Sequence, residues 1–538
     1  QAEDGIRDVE RSRGLGDVYK RQVKKACKIL CSKYKCSLKE LSEKLGCNFD
    51  AFKMWLNKNA IPLNVYLKLM KRAKLPLPRK IFLKSKTSNK AIKLPNLCPE
   101  LFRLIGMVIA DGHLAKNYVE FHNSNNELRK DFATLIQKLF SIEAKEEFPK
   151  DRAPRVRAFS SLVTKLLNII FEIPFGNKAS LVKVPKILYF QGEKSIEAFL
   201  SGILDCDSHI DNFQIELYSV SKELMQGLAI LLLKLGIVSH LTKKSVGYKL
   251  TISHHKNLLR LASMPLSHPE KKENLKFLLT RRLAHHTPNL DVIPNVSNFI
   301  KDLRETLNLT QAEFAKLTGV SRRLVGMWET SQRNPSMEIF KNITPLISNA
   351  PQKYLPFSDI YFDEILEAKL IKNTTEKYVY DLTVEGYHNF LAGDIPMVVH
   401  NTTFLNSIAF FIPPQARIVS IEDSVTPDAE LIIRENGKIK REAIKNLEKK
   451  DLSNVEILTL DNDFKIKFTK VFKVTKRKVL KDVYRVKTSS GREIKVTRDH
   501  SLFTIGDFGL KEIKPCELRE GVDFIAVPRC LPFNTAGI

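Results

Sequence analysis

The sequence contains no apolar run of the roughly 18 residues that a membrane-spanning helix needs, and it shows no secretory signal. Its eight cysteines include no CxxC pair of the kind that binds zinc. Reduced thiols in a cytoplasmic protein are a better interpretation than zinc ligands or disulfides for the four that lie closest together: Cys27, Cys31, Cys36 and Cys47. These absences argue against an integral membrane protein and against a disulfide-rich secreted one.

Acidic residues are scarce relative to basic ones, with 60 Asp and Glu against 87 Lys and Arg. The resulting net charge of +27 and isoelectric point of about 9.6 predict a polyanionic partner, most often a nucleic acid. A merely solvated basic surface is the alternative. Wholesale disorder is excluded, because 43% of the 538 residues are hydrophobic and 27% are charged. At roughly 150 residues per domain, this length predicts several domains.

The two ends of the sequence differ from the rest in their pattern of hydrophobic and polar residues. Residues 1–22 show neither helical nor strand periodicity and resemble translated adapter sequence, so we expect them to be non-native. Residues 531–538 stop in mid-pattern after a strand-like segment. We therefore expect the chain to be a fragment.

Two segments in the middle of the chain repeat each other at an offset of 96 positions. The offset holds without a gap and pairs Asp111 with Asp207, His113 with His209, Glu120 with Glu216, and Leu128 with Leu224. In each copy an apolar helix ends in an acid, alternating strand residues follow, and an amphipathic helix closes the unit. The repeat predicts a pseudo-dimer within one chain.

Each predicted apolar helix carries two small residues four positions apart: Gly106 and Ala110, Gly202 and Cys206. A stripe of small residues lets two helices pack closely, which brings their C-terminal ends together. Those ends carry Asp111 and Asp207, whose mutual repulsion is relieved if the pair holds a divalent cation. Paired carboxylates on Mg²⁺ suit phosphodiester hydrolysis. Two solvated helix-end residues are the alternative.

These helices, LIGMVIADG over 104–112 and LSGILDCDS over 200–208, resemble the signature helices of the LAGLIDADG, or DOD-type, homing endonucleases. The resemblance covers residues 95–285 and implies two αββαββα halves whose strands lie in the major groove of double-stranded DNA. It also implies that the two aspartates hold Mg²⁺ at the scissile phosphates. Basic residues assist in this family, and the candidates here are Lys178 or Lys183 and Lys249 or Lys243.

Two helical patterns flank the repeat, over residues 23–80 and 293–348. In both, a short helix ends near a glycine, and a second helix carries Met-Trp at the same distance from it. This pattern resembles the Cro/repressor-type helix-turn-helix, whose second helix enters the major groove. The resemblance offers Arg322 and Arg323 to DNA in the later unit and Lys53 in the earlier one. A plain helical hairpin is the alternative for the earlier unit. Good N-caps precede these helices: Ser37, Thr310 and Ser321.

A predicted hairpin ends in His-Asn-Thr at position 402. An Asn amide can attack its own carbonyl and cleave the chain, an adjacent His can act as the acid, and a following hydroxyl can accept an acyl group. Residues 355–401 resemble the C-terminal splicing segment of an intein. The resemblance implies that Asn401 cyclises with the help of His388 and His400, with Asp381 nearby. It makes Thr402 the first host residue and the second nucleophile.

The strip over residues 402–423 opens with Thr-Thr before an apolar helix and ends in a strand with Glu-Asp. It resembles the middle of a P-loop ATPase of the secretion, pilus and archaellum motor type. In that family Thr402 completes the G-x-x-x-x-G-K-[ST] motif. An ordinary helix and strand of the same domain are the alternative.

Residues 424–538 predict strands around Asn-Gly and Ser-Gly turns. They resemble the truncated N-terminal splicing segment of a second intein. The resemblance implies that Ser424 is the acyl-shift nucleophile. It also implies that Thr497 and His500, which match T-x-x-H, polarise the scissile peptide with assistance from Asp499.

The sequence therefore predicts a multidomain α+β protein: a LAGLIDADG pseudo-dimer of αββαββα repeats, flanking helix-turn-helix units, and all-β Hint-type splicing segments. The predicted function is an intein-encoded homing endonuclease that makes Mg²⁺-dependent cuts in a long site of double-stranded DNA. We expect a cytoplasmic, monomeric pseudo-dimer with no membrane partner. A helix-turn-helix regulator is one alternative. A degenerate endonuclease that binds without cutting is another, favoured by Ser208 in place of the usual glycine.

Overall fold

The computed structural model describes residues 21–57, 61–78, 81–84, 91–284, 291–347, 351–372, 377–401, 424–478, 482–506 and 509–533. The chain divides into two compact units, Gln1–Pro95 and Asn96–Ile538. Within the described ranges, no helix is both long enough and apolar enough to cross a membrane. The ATPase-like strip at 402–423 lies outside these ranges, as do residues 1–20.

The first unit is mainly helical in its described part. Its elements are residues 21–34 (α1), Leu38–Lys44 (α2), Phe49–Asn57 (α3), Leu63–Ala73 (α4), Ile81–Lys84 (β1) and Ala91–Leu94 (β2). Ser37 caps α2 because its hydroxyl accepts the Glu40 N–H, while the Glu40 carboxylate accepts the Ser37 N–H at 2.8 Å. Leu30, Leu41 and Phe52 lie in the buried core of this unit.

Two copies of one α/β unit follow in the second part of the chain. The first contains Pro99–Ala110 (α5), Gly112–Leu114 (β3), Tyr118–His122 (β4), Asn126–Phe140 (α6), Lys145–Glu147 (β5), Arg155–Phe159 (β6) and Ser161–Phe171 (α7). The second contains Glu193–Asp207 (α8), Ser208–Ile210 (β7), Ile215–Ser219 (β8), Lys222–Lys234 (α9), His240–Lys243 (β9), Tyr248–Ile252 (β10) and His255–Ala262 (α10). The predicted αββαββα halves are confirmed.

The two sheets have the same antiparallel order, β3-β4-β6-β5 and β7-β8-β10-β9. Their registers also agree, because His113 lies opposite Glu120 in the first sheet and His209 opposite Glu216 in the second. These four residues are pairs of the 96-position repeat. The repeat in sequence is therefore a repeat in structure.

Helices α5 and α8 pack with almost no side-chain layer between them. A Cβ atom added to Gly106 would lie 2.3 Å from the Phe199 carbonyl oxygen, and one added to Gly202 would lie 2.5 Å from that of Arg103. Only glycine at these two positions permits so close an approach of the backbones. The small-residue stripe therefore predicted the contact correctly.

Five helices connect the repeat to the β-rich region. They are Pro269–Ala284 (α11), Ser297–Thr306 (α12), Gln311–Thr318 (α13), Arg322–Glu329 (α14) and Met337–Ile343 (α15). The Thr310 hydroxyl accepts the Glu313 N–H at the start of α13, and the Ser321 hydroxyl accepts the Leu324 N–H at the start of α14. Gly319 ends α13 with φ of 73°. The helix-turn-helix geometry follows from these caps.

The β-rich region begins with Ile360–Ile371 (β11), Tyr378–Val384 (β12), Asn389–Ala392 (β13) and Met397–His400 (β14). After residue 424 come Glu430–Glu435 (β15), Lys438–Ala443 (β16), Val455–Leu460 (β17), Ile466–Lys478 (β18), Val483–Thr488 (β19), Glu493–Val496 (β20), Leu502–Gly506 (β21), Gly509–Ile513 (β22) and Phe524–Pro528 (β23).

Strands before and after the strip belong to the same sheets. Strand β11 pairs with β19 and β23, β12 pairs with β18, and β14 pairs with β21. One hydrophobic core includes Phe390 and Val399 from the earlier segment and Val425 and Leu502 from the later one. The two segments that the sequence assigns to different inteins therefore share sheets and a core in this structure. Strand pairing between distant segments leaves no trace in local periodicity, which is why the sequence did not indicate it.

Candidate functional site

The two predicted acids lie at the C-terminal ends of the packed helices. Asp111 follows α5 as its C-cap, and Asp207 is the last residue of α8. Asn123 donates to the Asp111 carboxylate at 2.6 Å. Asp207 keeps a solvent-exposed edge, but burial of its carboxyl group and, secondly, the nearby Asp111 charge raise its pKa to about 6. The structure thus brings the two acids together.

A half-buried lysine binds the carbonyl end of each helix. Lys178 donates from Nζ to the carbonyl oxygens of Val108, Ile109 and Ala110, the last turn of α5. Lys271 donates to the carbonyls of Leu204 and Cys206 at the end of α8, at 2.9 and 3.1 Å. Burial lowers the pKa of Lys178 to about 8 and also lowers the pKa of Lys271. The nearby acids raise both pKa values, but by less than burial lowers them. The cation of each lysine satisfies carbonyls that the helix leaves unpaired.

Sequence reasoning named Lys178 but missed Lys271. The second lysine lies in the first turn of α11, three positions before the place that the 96-position offset assigns to a copy of Lys178. A gapless repeat therefore points to the wrong residue. A search for lysines near the start of the next helix would have found it.

The other predicted lysines have different partners. Lys249 lies in β10 and donates to Glu216 on the neighbouring strand at 2.5 Å. Lys183 pairs with Glu172 at 3.1 Å, and Lys243 is exposed at the end of β9. Among the described residues, none of these three contacts the ends of α5 or α8 in a hydrogen bond or ion pair.

The described residues contain no group of three or more His, Cys, Asp or Glu side chains that could hold a metal by themselves. The donor set nevertheless fits Mg²⁺, which is usually held by one or two carboxylates together with substrate phosphates and water. Burial and the Asp111 charge raise the pKa of Asp207 more than the nearby Lys178 and Lys271 lower it. Asp111 and Asp207 would supply the protein oxygens.

A second site lies where the two splicing segments meet. Ser424 is fully buried, its N–H donates to Thr497 Oγ1 at 3.1 Å, and its carbonyl accepts the Thr497 N–H at 2.9 Å. The Ser424 nitrogen belongs to the peptide bond with residue 423, so Thr497 contacts that bond directly. His500 is also buried and donates from its backbone to the Thr497 carbonyl at 3.1 Å.

Asn401 directly follows β14. Its N–H donates to the His388 carbonyl at 2.9 Å, and the His400 N–H donates to the Ser501 carbonyl at 3.0 Å. Burial lowers the pKa of His400, although Glu512 Oε1 lies 3.2 Å from its Nε2. The ring of Phe390, two residues after His388, lies edge-on to His500 at 6.5 Å between centroids.

Reactive side chains at this centre are buried without ordinary partners. Ser424 Oγ and both amide atoms of Asn401 have no hydrogen-bond partner within the described part of the chain. Asn401 is 1% exposed and Ser424 is 0% exposed. A buried polar atom without a partner costs about 1–3 kcal/mol, so a fold that keeps three of them indicates a functional site.

The remaining predicted residues of this centre are placed as follows. Asp381 lies buried in β12, opposite Thr475, and accepts the Leu382 N–H. Asp499 lies near the surface, 3.6 Å from Lys514 Nζ. Thr402, the predicted second nucleophile, lies outside the described residues.

The predicted DNA-contacting side chains are exposed on helices. Arg322 and Arg323 are the first two residues of α14, and both point their side chains into solvent. Trp328 is 1% exposed and belongs to the core. Lys53 is exposed on α3 of the first unit.

Three segments of the chain match known sequence families. Residues 194–264 match the LAGLIDADG-like domain, residues 300–344 match the helix-turn-helix, and residues 431–533 match the intein splicing domain. The first match covers the second half of the repeat. The third covers most of the segment after the strip.

Among curated relatives, the chain is 25% identical to a replication factor C small subunit of Methanocaldococcus jannaschii, over 79% of this chain and 31% of that protein. It is 27% identical to an A-type ATP synthase chain of Pyrococcus abyssi, over 60% of this chain and 29% of that protein. It is also 27% identical to a DNA polymerase of Thermococcus hydrothermalis, over 79% and 26%. The chain spans roughly a quarter to a half of the length of such relatives.

Two solved structures are similar to parts of this chain. The complex of I-DmoI with DNA and Mn is 16% identical, covers 31% of this chain and 97% of its own, and has a TM-score of 0.25. Full-length DUF199/WhiA of Thermatoga maritima is 14% identical, covers 44% and 92%, and has a TM-score of 0.25.

Each family match covers a part of the chain. A LAGLIDADG-like domain, a helix-turn-helix and an intein splicing domain in one chain support an intein with a homing endonuclease domain.

Proposed function

We propose that this chain makes Mg²⁺-dependent cuts in a long site of double-stranded DNA and carries an autocatalytic splicing centre. The observation that carries the nuclease proposal is the pair Asp111 and Asp207 at the ends of two helices in close contact, with a half-buried lysine at each end. The internal pseudo-dimer provides the two halves of the site within a monomer.

The protein's own groups prepare this centre for a phosphate. Lys178 and Lys271 donate their hydrogen bonds to the helix-end carbonyls. Asp111 and Asp207 therefore do not have to accept hydrogen bonds from these two lysines. Asn123 orients the Asp111 carboxylate. Bound Mg²⁺ would supply charge stabilisation to the phosphate and lower the pKa of a bound water. The excess of basic residues and the exposed arginines of α14 favour binding to the DNA backbone.

Splicing chemistry is proposed for the second centre. Ser424 would attack the carbonyl of residue 423, Thr497 would polarise that peptide through the Ser424 nitrogen, and His500 would assist. Asn401 would cyclise with help from His400 and His388. We further propose that 402–423 is a strip of a host P-loop ATPase and that Thr402 accepts the acyl group. A cytoplasmic location fits this chemistry.

The nuclease proposal is tested by cleavage of a randomised library of long duplex DNA, followed by assays on the recovered site. Asp111→Asn and Asp207→Asn should each abolish Mg²⁺-dependent cutting, because a neutral amide cannot replace a carboxylate at the cation. Both variants should still bind the site with an affinity that falls as salt rises. The Asp151→Asn variant removes the same charge from an exposed loop and should cut normally.

Cutting by the double aspartate variant at the parental rate would overturn the assignment of the site. A parent chain that binds but never cuts would instead favour a degenerate endonuclease. Ser208 gives that second possibility a structural basis. It occupies the glycine position of the first motif and bonds through its hydroxyl to the Leu204 carbonyl at 2.6 Å.

A further inference from the structure

The two halves of the proposed nuclease site hold their lysines in different ways. Lys178 reaches the end of α5 from the segment after α7, while Lys271 reaches the end of α8 from the first turn of α11. Two positions before Asp207, α8 carries a second acid, Asp205. The 96-position repeat places Ile109 at the equivalent position of α5. The second half therefore has a carboxylate that the first half lacks.

This extra carboxylate binds the start of α11. Asp205 is 1% exposed, and it accepts the backbone N–H of Ser267 at 2.9 Å and that of His268 at 3.0 Å. His268 directly precedes α11, and its carbonyl accepts the Lys272 N–H at 3.1 Å. A buried carboxylate thus fixes the N-terminal end of the helix that carries Lys271.

Lys271 joins the same two segments from the opposite direction. Its Nζ donates to the carbonyls of Leu204 and Cys206 at 2.9 and 3.1 Å, and these residues lie on either side of Asp205. The end of α8 and the first turn of α11 are therefore connected twice, by a carboxylate that accepts two N–H groups and by an ammonium group that donates to two carbonyls. Such supporting hydrogen bonds restrict the position of a functional side chain.

Arg103 connects this arrangement to the first half of the pseudo-dimer. It lies in α5, is 8% exposed, and donates to the Asp205 carboxylate at 2.7 Å and to Ser267 Oγ at 2.8 Å. It also donates to the Pro265 carbonyl at 3.3 Å and to the Asp131 carboxylate of α6 at 2.7 Å. A buried carboxylate needs such a partner, because an unpaired buried charge is strongly unfavourable. The first half thus holds the segment that carries the lysine of the second half.

The repeat does not contain a second copy of this network. A symmetric copy would need an arginine at position 199 and acids at positions 109 and 227, where the chain has Phe199, Ile109 and Gly227. None of these three side chains can form an ion pair. The position of Lys178 therefore does not depend on an equivalent network.

We propose that Arg103 and Asp205 are positioning residues that hold Lys271 at the end of α8, and that only this half of the nuclease site depends on them. The inference deepens the nuclease function proposed above, on which its consequence for DNA cutting rests. If Lys271 moves away, the negative end of α8 loses its cation and repels a phosphate. Two acid–lysine pairs match the two strands of a duplex, so we expect one strand cut to slow and the other to persist.

The position of the lysines is measured without DNA or metal, by acetylation with acetic anhydride followed by mass spectrometry. In the parent chain, Lys271 and Lys178 should react more slowly than the exposed Lys130, because their ammonium groups donate to carbonyls. In Asp205→Asn, Lys271 should react about tenfold faster, as the loss of hydrogen bonds to a charged group implies. Lys178 should keep its parental rate. The matched control, Asp131→Asn, removes a carboxylate from the same arginine but no bond to residues 265–271, so both lysines should keep their rates.

Strand-specific cutting of the recovered DNA site gives the second measurement. Each strand carries a different fluorophore, so the two cuts are followed separately. Asp205→Asn and Arg103→Met should cut one strand about tenfold more slowly and accumulate nicked DNA, again because bonds to a charged group are lost. The Asp131→Asn control should cut both strands at parental rates. A general loss of folding would slow both strands equally.

Each failure has a distinct meaning. An unchanged Lys271 rate in folded Asp205→Asn, or faster acetylation of both Lys271 and Lys178, would overturn the positioning role. Equal slowing of the two strands would overturn the one-sided dependence. The expected acetylation in a chain whose parent never cuts DNA would overturn the nuclease function and support the positioning role.

The parent chain provides a test that does not depend on the folding of a variant. The N–H groups of Ser267 and His268 are bound to a buried carboxylate, so they should be protected in hydrogen exchange measured by fragment-resolved mass spectrometry. Exchange at the rate of an exposed loop would overturn the proposal, because Asp205 would then not hold the start of α11.

Discussion

Arg492 links the two segments of the splicing domain. Its guanidinium donates to carbonyls of both segments, Pro396 and Pro528, and lies beside the buried Asp363 carboxylate. Removing one partner of a buried ion pair leaves an uncompensated charge, which typically costs about 3–5 kcal/mol. An arginine with 1% exposure cannot be recognised as such from the sequence, because arginine is usually a surface residue.

Arg492→Met should therefore lower the free energy of unfolding by about 3–5 kcal/mol, measured by urea denaturation. The matched control is Arg434→Met, which removes an arginine that pairs with Glu456 near the surface and within one segment. The control should cost at most about 1 kcal/mol. Equal losses for the two variants would show that Arg492 has no special role in joining the segments.

The glycines at the contact between helices α5 and α8 place the two helix ends of the proposed nuclease site close together. Gly106→Ala would place a methyl group 2.3 Å from the Phe199 carbonyl, so the helices must separate. We expect a loss of about 1–3 kcal/mol in unfolding free energy, from overpacking, and slower DNA cutting as the helix ends shift.

Gly326→Ala is the matched control for that prediction. Gly326 also lies inside a helix, α14, but an added Cβ would approach nothing closer than the Gln311 side chain at 3.8 Å. Alanine should therefore stabilise α14 by about 0.5–1 kcal/mol. Thermal unfolding of both variants gives the comparison. A Gly106→Ala protein as stable as the control would contradict the close helix contact.

Helix α14 begins with two exposed arginines that we expect to contact DNA phosphates. Replacing Arg322 and Arg323 by alanine should weaken DNA binding and reduce its dependence on salt, because phosphate contacts are lost. The double variant Lys445→Ala, Lys449→Ala removes the same charge from exposed positions of the splicing domain and should leave the salt dependence unchanged. Fluorescence anisotropy over a salt series measures both. Equal salt slopes in the two variants would return α14 to a structural role.

At the scale of elements, much of the architecture is predictable from the sequence. The repeat at 96 positions predicted the pseudo-dimer. The helix caps Thr310 and Ser321 predicted the helix-turn-helix, because such caps depend on local sequence. Asp111 and Asp207 followed from equivalent helix ends. Lys271 did not, because it reaches α8 from a different helix and breaks the spacing of the repeat.

At the scale of the whole molecule, the pairing of strands from distant segments was the feature that the sequence predicted least. Strand β11 pairs with β19, and β14 pairs with β21. These pairings join segments that are far apart in sequence and separated by residues 402–423, whose sequence resembles a different family. Each segment reads as part of its own intein when taken alone. The shared sheets and the shared core appear only in the folded chain.

The most direct test of this single splicing domain is a cut made within residues 402–423. A site-specific protease sequence is placed there in the Asn401→Ala, Ser424→Ala double variant, so that no self-cleavage interferes. After complete proteolysis, the two pieces should elute together from a size-exclusion column in native buffer, even after dilution, and separate only in denaturant. Separation of the pieces in native buffer would contradict the single domain and the common centre built on it.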